Sequence, residues 1–129
     1  MDKHPISLSR QRRVPKQFSW VDQRLVRERY IDHLSHEACA LYLFLVTVAD
    51  AQGLSYYAER TLCQRLSMSR AQLGQARQRL ITHQLLAYRQ PLYQVLALER
   101  RAPTQVPTLE PDNDVDLQAV FEQIWEVLK

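Results

Sequence analysis

Glycine is almost missing from this chain. Gly53 and Gly74 are the only two in 129 residues, so no Gly-rich loop exists to cradle a nucleotide phosphate or a dinucleotide. Cysteine is equally scarce. Cys39 and Cys63 stand alone, without a C-x-x-C spacing, and nothing in that pattern indicates a zinc site or a redox pair. Both fall among apolar residues of expected helices and read as buried free thiols. A disulfide between them stays open as an alternative, though a cytoplasmic protein rarely keeps one. His33 and His36 straddle an expected helix start with no third ligand in spacing, and read as surface or structural residues. No pair of carboxylates sits in an apolar setting suited to acid–base work, and no serine occupies a nucleophile elbow. The expectation is a chain without enzyme activity, metal or cofactor. No apolar run approaches the ~18 residues that span a bilayer, and no charged segment leads into an apolar stretch at the start. The expected place is the cytoplasm, with no membrane partner.

What is present is uneven charge. The net formal charge is +3. Residues 1–30 carry net +5, residues 31–98 net +2, and residues 99–129 net −4. A basic front and an acidic tail suit a polyanion partner for one part and a different task for the other; a solvated surface of mixed charge is the plainer alternative. Residues 1–19 lack apolar periodicity and hold Pro5, Pro15 and the cluster Arg10, Arg12, Arg13 and Lys16, which reads as a flexible basic arm. A domain is expected over residues 20–99. Pro103, Pro107 and Pro111 mark residues 100–113 as a linker. Residues 114–129 read as an amphipathic helix, with Leu117, Val120, Phe121, Ile124 and Leu128 on one stripe and Gln118, Glu122 and Glu126 opposite.

Within the domain, the pattern predicts a short amphipathic helix from Val21 to about Tyr30. Ser35 then caps a helix in which only Thr47 is polar between Ala38 and Ala49. Too short for a membrane, it is expected to be the central core helix, stopped by Gly53. Leu54–Tyr57 predicts a brief strand, with Tyr56 and Tyr57 as core and strand residues rather than base-stacking groups. Ala58–Leu66 predicts a helix with Leu62, Cys63 and Leu66 inward. Leu85–Arg89 and Leu92–Leu98 predict a tight hairpin about Gln90-Pro91. The fold class is mainly α with a small β-hairpin.

The most informative stretch is Leu62–Leu80. Ser67-Met68 separates two short helices, and Ser69 with Gln72 forms an S-x-x-Q capping box at the start of the second. Leu73, Ala76, Leu80 and Ile81 mark that helix's buried face, while Arg70, Gln72, Gln75, Arg77, Gln78 and Arg79 spread over the rest. Such a pair suits insertion into the major groove of duplex DNA. Backbone N–H groups at the helix start favour phosphate. Ser69 can touch the backbone, Arg70 can grip phosphate or fork onto guanine, and Gln72 and Gln75 have amides that match adenine. Gly74 either lets the helix approach a base or sugar closely or packs against another helix. Arg77 and Arg79 are DNA contacts or solvated charges, the second favoured for Arg79. Arg89 and Gln90, at the hairpin tip, are placed to touch a neighbouring groove or phosphate.

With those residues in view, Ala40–Leu98 resembles the winged helix-turn-helix domains of phage and plasmid replication-initiation proteins. Met68-Ser-Arg-Ala-Gln-Leu73 is also similar to the recognition-helix start of GntR-type transcription regulators. The resemblance implies that Ser69, Arg70, Ala71, Gln72 and Gly74 lie at the DNA. It implies a winged helix-turn-helix carrying a basic arm and an extra C-terminal helix, acting in replication, transposition or transcription of a plasmid or mobile element. Three positions depart from the family pattern: Ala58 replaces a capping residue, and Ser67 and Gln84 replace glycines. A homodimer is a natural state for groove readers. The competing expectation is an interaction adaptor on the same fold, whose acidic helix at 114–129 docks a protein partner; packing of that helix on Ala38–Ala49 of its own chain is the favoured alternative, and a dimer contact a third.

Overall fold

The computed structural model describes residues 2–98. The expected linker and terminal amphipathic helix lie outside the described residues. The described part is mainly helical with a small three-stranded antiparallel sheet. No described helix is long and apolar enough to cross a membrane.

Residues 2–20 are exposed throughout and form no helix or strand. The first helix, α1, is a single turn, Arg24–Arg27, followed by a 3-10 turn at Tyr30–His33. The continuous helix expected from Val21 to Tyr30 is thus broken. Arg29 takes a left-handed conformation, φ 63°, and only Leu25 of the apolar trio Val21, Leu25 and Val26 is buried. Asp22 holds Arg24 at 2.7 Å, and the hydrogen bonds from Arg24 keep its carboxyl below the ordinary carboxylate range.

Helix α2 runs His36–Val48, with the Ser35 hydroxyl accepting from the Ala38 N–H. Its Ala38, Leu41, Tyr42, Leu45 and Val46 are buried, but Leu43 is 61 % exposed, so the helix is not covered on every side. Gly53 does not stop it. Ala49 has already turned extended, and Gly53 belongs to the turn beyond, where the Asp50 carboxylate accepts from the N–H groups of Gln52 and Leu54. That turn delivers strand β1, Leu54–Tyr56. Helices α3, Glu59–Leu66, and α4, Arg70–Thr82, come next. Strands β2, Leu86–Arg89, and β3, Leu92–Val95, form the hairpin, and β3 also pairs with β1 to give the order β1-β3-β2. The sequence pattern foresaw the hairpin and the brief strand after Gly53, but not their pairing into one sheet.

One apolar cluster unites these elements, with Leu41, Leu45, Leu62, Leu73, Leu80, Leu85, Leu86 and Tyr93 fully enclosed. Each such side chain contributes about 1.5–3 kcal/mol of burial. Tyr57 packs its edge on Phe44, centroids 5.1 Å apart, whereas Tyr56 lies exposed, contrary to the expectation of a core role. Cys39 and Cys63 are free and half-buried, and burial raises the Cys39 thiol above its usual value.

Gly53 is the tightest backbone point. At φ +86° its carbonyl accepts the Val95 N–H at 2.8 Å, and a Cβ built there would stand 2.6 Å from the Val95 oxygen. Gly53→Ala will therefore lower stability by about 2 kcal/mol or more, read as a drop in the urea midpoint at unchanged slope. An effect within about 0.5 kcal/mol would show that the β1–β3 junction is not as described.

Candidate nucleic-acid interface

Helix α4 is presented by its neighbours. Leu73, Ala76 and Leu80 are buried within the core cluster, and α2 is its most extensive packing partner. The approach from α3 is set at Ser67, whose left-handed conformation, φ 55°, ends α3. The Met68 N–H then reaches back to the Cys63 carbonyl at 3.0 Å, and Met68 is buried. A non-glycine residue in this conformation costs about 1 kcal/mol. Gln84, φ 60°, does the same after α4, with the Leu85 N–H on the Leu80 carbonyl at 2.9 Å. Neither position holds a glycine, yet the backbone is left-handed at both. Ala58 offers α3 no side-chain cap.

Ser69 closes the capping box. Its hydroxyl accepts the Gln72 N–H at 3.1 Å, and the Gln72 side-chain oxygen accepts the Ser69 N–H at 2.9 Å. Gln72 is thereby occupied at the helix start instead of standing free to read a base. At 100° per residue, the middle of the outward face falls on Ala71, Gln75, Gln78 and Thr82, all exposed. Gln78 leans on Thr82 at 3.5 Å, while no hydrogen bond among the described residues occupies the Gln75 side chain. Arg70 and Arg79 stand on the two flanks, exposed and without an ion pair among the described residues. No acidic residue occurs in α4. On the Arg79 side, α4 and the start of α2 enclose a cleft of about 610 Å³ lined in part by Ser35, Glu37, Gln75 and Thr82. Glu37 is the one carboxylate in that lining, and Arg79 its one cation.

Arg77 is elsewhere. Expected on the outward surface, its side chain is only 16 % exposed and turns toward the hairpin. Nη1 donates to the Tyr93 hydroxyl at 3.0 Å, Nη2 pairs with Glu59 at 3.4 Å, and the guanidinium lies 4.3 Å from the Tyr88 ring centroid. Tyr88 and Tyr93 face each other across β2 and β3, rings 4.5 Å apart. Burial opposes the Arg77 charge, yet Tyr93, Tyr88 and Glu59 outweigh it and raise its pKa above the ordinary value. Burial also raises the Tyr93 hydroxyl, against the pull of Arg77. One side chain thus ties α4 to α3 and to both hairpin strands. A signal for this was available: Arg77 falls one turn after Leu73 and three residues before Leu80, at the margin of the buried stripe. The Tyr88–Tyr93 pair, formed by strand register, was not visible from periodicity.

Gly74 is partly exposed, and a Cβ there would meet nothing within 4 Å. The expectation that it packs against another helix is therefore not met. Arg89 and Gln90 are exposed at the hairpin tip, where the two-residue turn contains a cis Gln90-Pro91 bond. Arg10, Arg12 and Arg13 are exposed on the arm. The structure groups Arg70, Ala71, Gln75 and Gln78 on one continuous helix face. His33 stacks on His83 at 5.3 Å, and no cluster of three metal-ligating side chains occurs among the described residues. No family model, curated protein or solved structure matches the chain.

Two substitutions check this geometry. Arg77→Met removes the hydrogen bond, the ion pair and the ring contact together and will cost about 1–3 kcal/mol in denaturant unfolding; a purely solvated arginine would leave stability within about 0.5 kcal/mol. Gly74→Ala will raise stability by about 0.5–1 kcal/mol, because it restores helix propensity without a clash. A loss on that substitution would mean that position 74 is crowded.

Proposed function

We propose that this chain is a winged helix-turn-helix protein that binds duplex DNA and carries no catalytic activity. In this reading α3, the Ser67–Ser69 turn and α4 are the helix-turn-helix, and α4 is the recognition helix. The β2–β3 hairpin is a short wing, and residues 2–19 are a basic arm. The observation that carries it is the outward face of α4: exposed, with no carboxylate in the helix itself, held by a fully buried opposite face, and displaying Arg70, Ala71, Gln75 and Gln78. The element order and the β1-β3-β2 sheet agree with the winged-helix resemblance.

The physical roles follow from position. Arg70, at the helix start, adds its charge to the exposed N–H groups of the first turn, a combination that holds phosphate or the guanine edge. Gln75 supplies the unoccupied amide, whose donor and acceptor match adenine N7 and N6. The Ala71 methyl suits a thymine methyl, and Gly74 beside it lets the helix axis come close. Ser69 and Gln72 serve chiefly to shape the helix start. Arg77 is a positioning residue that sets the angle between recognition helix and wing, so that Arg89 and Gln90 reach the flanking backbone in register with Arg70. The basic arm, with Arg10, Arg12 and Arg13, follows the adjacent minor groove. The process served is the control of replication, transposition or transcription of a plasmid or mobile element, read from the resemblance alone.

The test is binding of the full chain to duplexes selected from a random pool, followed across salt concentration. The logarithm of affinity will fall linearly with the logarithm of salt. Arg70→Ala will weaken binding and reduce that slope by about 1, whereas Arg77→Met will weaken binding with the slope unchanged. Glu37→Gln will tighten binding at low salt by removing a carboxylate from the cleft. No duplex binding at low salt removes the proposal, and an unchanged Arg70→Ala variant removes Arg70 from the contact surface.

A further inference from the structure

From Lys3 to Trp20 the chain has five Lys or Arg and no Asp or Glu. Every residue of this stretch is exposed, and none of its cations enters an ion pair among the described residues. Arg10, Arg12, Arg13 and Lys16 crowd together directly before two large rings, Phe18 and Trp20. Phe18 is 66 % exposed and Trp20 73 %. Between them the Ser19 hydroxyl donates to the Thr47 carbonyl of α2 at 3.0 Å. That bond ties the end of the arm to the folded domain, while the rings on either side of it take no part in the core cluster. Neither ring meets another ring or a guanidinium among the described residues.

We propose that the end of the arm binds an unpaired nucleic-acid strand. Phe18 and Trp20 are the stacking platforms for its bases, and Arg10, Arg12, Arg13 and Lys16 lie along its phosphates. Two features select this ligand. The first is charge: a run of cations without a single carboxylate attracts a polyanion. The second is the pair of rings. Every base has a π-face, and stacking on an exposed aromatic side chain needs no particular sequence. In an intact duplex the neighbours above and below cover each base, so these rings find open faces on an unpaired strand. The cations serve a duplex or a single strand; the rings serve the second. An anionic bilayer surface is the competing ligand for cations mixed with aromatics, but it draws them onto one side of an amphipathic helix, and the arm forms no helix. The site rests on the arm alone and holds whether or not α4 reads duplex DNA.

Tryptophan emission of the full chain tests it. The chain has two tryptophans, Trp20 and Trp125, so Trp125→Phe leaves Trp20 as the one reporter. An oligodeoxythymidylate of about 16 nucleotides will quench that emission at low salt, and more strongly than a duplex of the same length. By anisotropy of the labelled oligonucleotide, Phe18→Ala and Trp20→Ala will each weaken binding about 5- to 100-fold at an unchanged salt slope. Arg13→Ala will instead reduce the slope by about 0.7. Both rings lie outside the core, so the helical circular dichroism will not change. Arg70→Ala will leave single-strand binding as it is, which separates this site from the face of α4. Three results overturn the proposal. One is a single strand that leaves Trp20 emission unchanged while phosphatidylserine vesicles shift it, which would make the arm a membrane contact. Another is stronger quenching by the duplex. The third is single-strand affinity that survives both ring substitutions, which would leave charge attraction alone.

Discussion

Burial of Leu73, Ala76 and Leu80 against the core is the constraint on which the rest depends. A 13-residue helix cannot hold itself in one orientation in water, because isolated helices of that length are marginal. Its stripe of three enclosed side chains fixes both its rotation and its height over α2. Everything proposed for the opposite face follows from that fixed rotation: Arg70 falls to one flank, Arg79 to the other, and Gln75 between them. The capping box at Ser69 and the left-handed turn at Ser67 fix where the helix begins, and therefore how far its first turn projects.

Arg77 extends this constraint to the hairpin. A hairpin of two four-residue strands is too small to orient itself, since short hairpins are barely stable alone. Here β3 is held on one side by β1, and the Tyr88–Tyr93 pair is held on the other by the guanidinium of α4. Helix and hairpin are thus joined through one guanidinium, and contacts held by packed side chains are cheaper in entropy than contacts formed by mobile ones. The molecule also carries local costs without local return. Ser67 and Gln84 sit in a conformation that glycine would adopt freely, and Gly74 weakens α4 while filling no contact. The first two costs are incurred to place the helix ends. The cost at Gly74 is repaid by no contact of its own among the described residues.

Much of this was legible in the sequence. The S-x-x-Q box located α4 to the residue, Ser35 located α2, and the 73–76–80 spacing identified the buried face correctly. Three kinds of information were not local and were missed. Strand pairing between β1 and β3 depends on residues forty positions apart. The inward turn of Arg77 depends on Tyr93, which strand register supplies. The break between α1 and the 3-10 turn depends on Arg29 adopting a left-handed conformation that no residue type there announces. Gly53 was misassigned because a glycine shortly after a helix resembles a helix stop. Here the chain needs it five residues past Val48, where the Val95 carbonyl leaves no room for a Cβ. At the site, composition identified the polar face, but only the structure separates Gln72, engaged in its own cap, from Gln75, whose amide is unoccupied.

The central claim is that the outward face of α4 meets duplex DNA. Backbone amide NMR shifts of the full chain, titrated with its best-selected duplex, test it most directly. The account predicts the largest changes at Arg70, Ala71, Gly74, Gln75 and Gln78, smaller ones at Arg89 and Gln90, and almost none at Leu41, Leu45 or Leu62. Changes gathered instead along Val21–Leu43, with α4 silent, would contradict it.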